Sequence, residues 1–182
     1  MHQYGAAGRA EGTGQAHMPF KKHTRIEISK EDVKFSAAHF TIFSATERER
    51  LHGHNFKVSL LLTADVGDNG MCFSYVEIKK RLRALCETLD EYTILPNASP
   101  YMTLEEVDGE VLAHFNGETL RFLRGDTLIL PLRNTTVEEF ARYLLEKLVE
   151  DAPFVEGNEI SELTMQVSSG PGQSGSATWV RA

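Results

Sequence analysis

The sequence predicts an α+β domain built on an antiparallel sheet of four principal strands. Three observations carry that expectation. Period-two runs of apolar residues occur early, at 33–39 and 52–62, and again late, at 163–167 and 177–180. Two intervening segments place apolar residues three and four apart, each opened by a capping-box pattern. Between these segments, Asp108-Gly109 and Asn116-Gly117 are hairpin turn signals.

The elements follow in chain order. Residues 1–22 hold four glycines and no periodicity, and are read as a disordered leader or as the stretch before a start at Met18. His2, His17 and His23 in or beside it read as surface histidines. A single domain is expected over 23–182. From Thr24 the pattern has period two, with Val33, Phe35, Ala37 and His39 on one strand face. After a loop, His52, His54, Phe56, Val58, Leu60 and Leu62 share one face of the next strand. The Val66–Gly70 segment is a turn. Ser74 and Glu77 then open a helix with Val76, Ile78, Leu82, Leu85, Cys86 and Leu89 inward. Residues 96–131 alternate in short runs and read as an inserted hairpin region. Thr135-Thr136 with Glu138-Glu139 opens a second helix to about Glu150, with Phe140, Leu144, Leu145 and Leu148 inward. Two strands close the chain.

Composition limits the function. At 182 residues, 41% hydrophobic and 25% charged, the chain suits one globular domain with a sizeable core. The net charge of −7 leaves no basic stripe for gripping phosphates, so no nucleic-acid partner is expected. No apolar run is long enough for a membrane helix or a signal peptide, so no membrane partner is expected. Two cysteines, Cys72 and Cys86, do not make a disulfide scaffold, and a reduced cytoplasmic location is the expectation. Both read as core residues.

The placement of the histidines is the most specific signal. His39 ends the apolar face of one strand, while His52 and His54 begin the apolar face of the next. Antiparallel pairing of consecutive strands brings the end of the first beside the start of the second. All three imidazoles should therefore meet on one face at the loop end of the hairpin. A lone inward histidine is ordinarily a satisfied core group. Three on one face, two of them as His-x-His, point instead to a metal. Three imidazoles with a fourth position open form the zinc site of hydrolytic and lyase enzymes. Zinc is favoured over iron because no carboxylate clearly completes a facial triad, although Glu49 could supply one. Glu49 lies three residues before His52, near enough to accept a proton; flanked by Arg48 and Arg50, it also reads as a solvated loop residue. Asp90 and Glu91 follow the first helix, where acidic residues oppose the helix dipole. His114 has no partner in sequence and reads as structural.

FSAAHF at 35–40 and LHGHNF at 51–56 resemble the 6-pyruvoyl-tetrahydropterin synthase family, which includes the 6-carboxytetrahydropterin synthases. Gly70-Met71, the helix with Ile78-Lys79, Leu89-Asp90 and the T-x-E-x-x-A pattern at Thr136, Glu138 and Ala141 extend the likeness across roughly residues 32–182. The resemblance implies the tunnelling fold, with two helices on one face of the sheet. It also implies a trimeric or hexameric barrel and a pterin bound between subunits beside Zn2+. The expected function is a zinc-dependent lyase on a dihydropterin such as dihydroneopterin triphosphate, by triphosphate elimination or side-chain cleavage. The alternative is a homologue that binds metal and a purine- or pterin-like ligand without this turnover.

Several positions depart from the family pattern. Arg48 stands where the family usually has a cysteine, four residues before His-Gly-His. Glu49 matches a branch that carries a glutamate three residues before it. Glu91 replaces the histidine of the family's Leu-Asp-His, and Ser74 replaces an aspartate before the first helix. Ser169 replaces the acid that anchors the pterin. The resemblance thus assigns His39, His52 and His54 to the metal and Glu49, Asp90 and Glu91 to proton transfer. It places Thr136, Glu138 and Ser169 at the substrate.

Overall fold

The structure, a computed structural model, describes residues 23–182; the expected leader lies outside the described residues. Strands β1 (His23–His39) and β2 (His52–Asp65) pair antiparallel, and β1 bulges between Ser29 and Lys34. Inward parity changes across the bulge, from Ile28 to Val33, Phe35, Ala37 and His39, as an odd excess of residues on one strand requires. At the far end His39 sits opposite His52, and Ala37 opposite His54.

The expected four antiparallel strands understate the sheet. It has six strands in the order β7-β3-β1-β2-β8-β9, and it is mixed. Strand β3 (Tyr92–Pro96) runs parallel to β1, and β7 (Thr127–Leu130) runs parallel to β3. Strands β8 (Ile160–Gly170) and β9 (Gln173–Val180) extend the other side antiparallel. The two added strands are short and show no alternation: β3 ends in the buried run Ile94-Leu95-Pro96, and β7 packs partly buried Leu128 and Ile129 against two different clusters, as a parallel strand covered on both faces does.

The segment between β3 and β7 is the crossover that their parallel pairing requires. It folds as a separate antiparallel sheet of β4 (Met102–Val107), β5 (Glu110–Phe115) and β6 (Glu118–Leu123). Both predicted turns hold. Asp108 and Gly109 have φ of 50° and 83°, and Asn116 and Gly117 have φ of 47° and 77°, the left-handed pair that tight hairpin loops demand. The inserted region is therefore half right: β4–β6 stand apart, while β7 belongs to the main sheet.

Helix α1 (Tyr75–Glu87) packs on β1, and α2 (Val137–Val149) packs on β8 and β9. Ile78, Leu82 and Cys86 of α1 are buried as expected, but Val76 is 69% exposed, being on the outer side of the first turn. The Ser74 side chain makes no capping bond, whereas Thr136 accepts the Glu139 amide and caps α2. A short helix, α3 (Ala152–Gly157), was not anticipated; Asp151 caps it. Gly175 of β9 lets α2 come close, since a Cβ there would lie 2.7 Å from the Glu138 nitrogen. Both helices cover one face of the sheet, and the core lies between. The other face carries Lys34, Asn55, Lys57 and Gln166, all exposed. Among the described residues, no helix is long and apolar enough to cross a membrane.

Candidate metal centre

The three histidines meet as their register predicts. One ring nitrogen from each of His39, His52 and His54 lies within 4.8 Å of the other two. Beneath them is a floor of phenylalanines. Phe35 stacks on Phe56 at 5.0 Å, Phe140 of α2 meets Phe56 edge-on at 5.0 Å, and His39 meets Phe56 edge-on at 5.2 Å. Such pairs contribute about 0.5–1.5 kcal/mol each beyond their buried area, so the rings above stand on a rigid base.

Two of the three rings are oriented by main-chain carbonyls. His39 Nδ1 donates to the Thr135 carbonyl at 2.7 Å, and His52 Nδ1 donates to the Arg50 carbonyl at 2.8 Å. With Nδ1 carrying the proton, Nε2 of each ring offers its lone pair. Among the described residues the Nε2 atom of buried His39 has no partner, and the Nε2 atoms of His52 and His54 face each other at 3.0 Å. Lone pairs aimed at one point with no donor for His39 fit a cation. Burial lowers the His39 pKa, against the Thr135 carbonyl, which raises it. The ring is thereby kept neutral, the form that binds metal.

Glu49 joins this site through its loop. Its amide donates to the Thr41 carbonyl at 2.8 Å, and its carboxylate accepts from the Thr41 amide at 2.9 Å. Burial pushes its pKa up, but the Thr41 hydrogen bonds and the nearby His52 and His39 outweigh this, and the net shift is downward. A carboxylate beside the imidazole cluster is therefore ionised at neutral pH.

The remaining predicted site residues lie elsewhere in the chain. Asp90 accepts the Ser36 amide at 2.6 Å, and the Glu91 amide donates to the Ser36 carbonyl at 2.8 Å. Both are held at Ser36 of β1, three residues and about 10 Å along the strand from His39. Glu91 lines a cavity of about 500 Å³ that His54 also lines, with Ser36, Asn55, Tyr92 and Asp126. Thr136 caps α2, Glu138 is exposed in its first turn, and Ser169 is half-buried at an irregularity of β8 opposite β9. Cys86 is buried, which pushes its thiol up to about 12, and half-buried Cys72 is also shifted upward by burial. Neither thiol is activated. His114 bonds Thr119 on the separate sheet.

Sequence reasoning missed Asn134 and Thr135. Asn134 brackets Ile42, accepting its amide at 3.0 Å and donating to its carbonyl at 2.8 Å. Thr135, fully buried, donates its hydroxyl to the Phe40 carbonyl at 2.7 Å while its own carbonyl orients His39. The signal for them was the turn before α2, but their partners lie more than ninety residues away.

Fold and site together define an α+β domain whose central hairpin carries a preformed three-imidazole cluster able to hold a metal ion. The profile of the 6-pyruvoyl tetrahydropterin synthase family matches residues 27–176, and the chain belongs to that family. A Pyrococcus abyssi protein, provisionally described as a 6-carboxy-5,6,7,8-tetrahydropterin synthase, is 28% identical over 148 residues, covering 81% of this chain and 85% of that one. The crystal structure of 6-pyruvoyl tetrahydropterin synthase from Plasmodium vivax superposes with a TM-score of 0.83 at 27% identity, over 88% of this chain and 99% of that one. Variants of the P. vivax protein in which a glutamate described as a catalytic residue is replaced by cysteine or alanine match with the same TM-score at 26% identity, over the same shares of each chain.

Proposed function

We propose that the chain is a zinc-dependent lyase acting on a dihydropterin, with Glu49 as the proton acceptor. The observation that carries this reading is the convergence of three imidazole nitrogens, the buried Nε2 of His39 among them without a partner, beside an ionised carboxylate. The donor set of three neutral imidazoles suits zinc with an open position. When bound, the cation would polarise oxygens of the pterin side chain and acidify protons on the adjacent carbons. The chain supplies the rest. Thr135 and Arg50 hold two of the ligand rings, and Thr41 holds the Glu49 carboxylate where it can take a carbon-bound proton. The glutamate described as catalytic in the P. vivax protein supports assigning this role to Glu49. Loss of that proton allows departure of a triphosphate, whereas removal of a side-chain hydroxyl proton instead would allow the oxygen to become a carbonyl as the adjacent carbon–carbon bond breaks. Mass spectrometry of products formed from dihydroneopterin triphosphate tests the reading. A pyruvoyl- or hydroxymethyl-type pterin is expected, and unchanged substrate with metal-loaded protein would contradict it.

Substrate contacts are assigned to Thr136, Glu138 and Ser169, with Asp90 and Glu91 as relays. In a single chain, Asp90 and Glu91 bond to Ser36 of β1, and Glu91 shares a cavity with His54. We place them at a neighbouring subunit's site. Among the described residues, strands β7 and β9 leave both sheet edges unpaired and no helix covers the polar face. Such edges pair with other chains unless blocked, which supports a trimeric or hexameric barrel in a cytoplasmic enzyme. Light scattering should give a mass at least three times the 20.4 kDa chain; a stable monomer at micromolar concentration would refute the assembly. A second reading, binding of a pterin- or purine-like ligand without turnover, is favoured by Ser169 at the anchor position. Ligand binding without product in the same mass-spectrometric assay separates the two.

A further inference from the structure

The separate sheet β4–β6 has a core of its own, and three of its buried members, Phe40, Ile42 and Leu95 of β3, come from outside it. Phe40 and Ile42, which directly follow His39, are buried with Met102, Val111, Ala113 and Phe115 rather than in the main core. The loop from His39 to His52 therefore rests on this sheet. Within the loop, Ile42 forms an antiparallel bridge with Arg48, and the tip closes through bonds from the Phe43 and Ser44 amides to the Glu47 carbonyl. Glu49 occupies the returning arm, bonded in both directions to Thr41 of the outgoing arm.

Arg48 fastens that returning arm. Its side chain is only 18% exposed, and its guanidinium lies over Phe40 at 5.2 Å and over Phe115 at 5.8 Å. One nitrogen donates to the carbonyl of Glu49 itself at 2.9 Å, and another reaches the Glu118 carboxylate of β6 at 3.2 Å. Asn116 of the β5–β6 turn adds a bond to the Thr46 carbonyl at 3.5 Å. A planar guanidinium serves stacking and hydrogen bonding at once, which a lysine cannot do.

We infer that β4–β6 is a platform that positions Glu49, and that Arg48 is the positioning residue joining the two. The inference rests on Glu49 being the proton acceptor. It gives a role to the crossover segment and to the arginine that replaces the expected cysteine. Arg48 acts through the backbone of Glu49, and its guanidinium bonds are to the Glu49 carbonyl and the Glu118 carboxylate.

The test compares wild type, Arg48→Met and Arg48→Lys, in the full chain with zinc. Met keeps the apolar stem, and Lys keeps stem and charge without the planar fork. Amide hydrogen exchange at Thr41 and Glu49 should speed up by roughly tenfold or more in both variants as the arm opens locally, with Val58 and Leu60 unchanged. Zinc content should stay at the wild-type level. In the pterin assay kcat should fall by up to about 10²-fold with KM within about twofold, the signature of a displaced reacting group. Wild-type protection of Thr41 in both variants would overturn the inference, as would unchanged kcat in an active enzyme. If wild type turns over no pterin, the lyase reading fails on its own, and the exchange result still decides whether Arg48 positions the loop.

Discussion

His52→Ala and His54→Ala proteins are expected to lose bound zinc, falling from about one ion per chain to near none after dialysis. Structural zinc sites in zinc-finger peptides bind with roughly 10–16 kcal/mol, and on that scale removing one of three protein ligands should cost on the order of 3–5 kcal/mol, or about 10²–10⁴-fold in affinity. Both rings are half-buried at the open end of the hairpin, so each change should leave the fold intact. His39→Ala is a different experiment. That ring is buried on Phe56 and holds the Thr135 carbonyl, so its removal also leaves a cavity and an unpaired acceptor. Loss of zinc with unchanged thermal unfolding of the metal-free protein is expected for His52 and His54, and lowered stability in addition for His39. Elemental analysis and calorimetry check this. Full zinc retention in both of the first two variants would remove the site.

Glu49→Gln is expected to abolish turnover while leaving metal and assembly in place. The glutamine carbonyl can still accept the Thr41 amide, so the loop should keep its form. What is lost is the ionised oxygen. Proton acceptors of this type contribute about 10²–10⁴-fold, and kcat should fall by that factor with little change in KM. Cys72→Ala and Cys86→Ser should stay close to wild type, because burial raises both thiol pKa values and neither bonds to a histidine. Wild-type kcat in Glu49→Gln would move the role to Asp90 or Glu91.

The histidine cluster was legible because strand parity is a simple rule. His39, His52 and His54 fall on one face by counting alone, and the hairpin register did the rest. The two left-handed turns were legible from Asp-Gly and Asn-Gly for a similar local reason. Strands β3 and β7 were not. Each is a brief apolar run with no period to read, and the parallel partner of each lies across an intervening element. Ser74 had the spacing of a cap but makes no capping bond, so pattern overstated contact there. Arg48 read as a charged flank of Glu49, whereas its neighbours Phe40, Phe115 and Glu118 are set by the tertiary fold. Asp90 is assigned to proton transfer by the resemblance, through Leu89-Asp90. Its bond to the Ser36 amide depends on the parallel docking of β3, which sequence did not reveal.

X-ray absorption at the zinc edge of the purified, zinc-loaded protein tests the metal assignment most directly. Three imidazole nitrogens at about 2.0–2.1 Å with one further light atom are the predicted shell. A sulfur shell near 2.3 Å, or fewer than three imidazoles, would contradict the assignment of the ion to His39, His52 and His54.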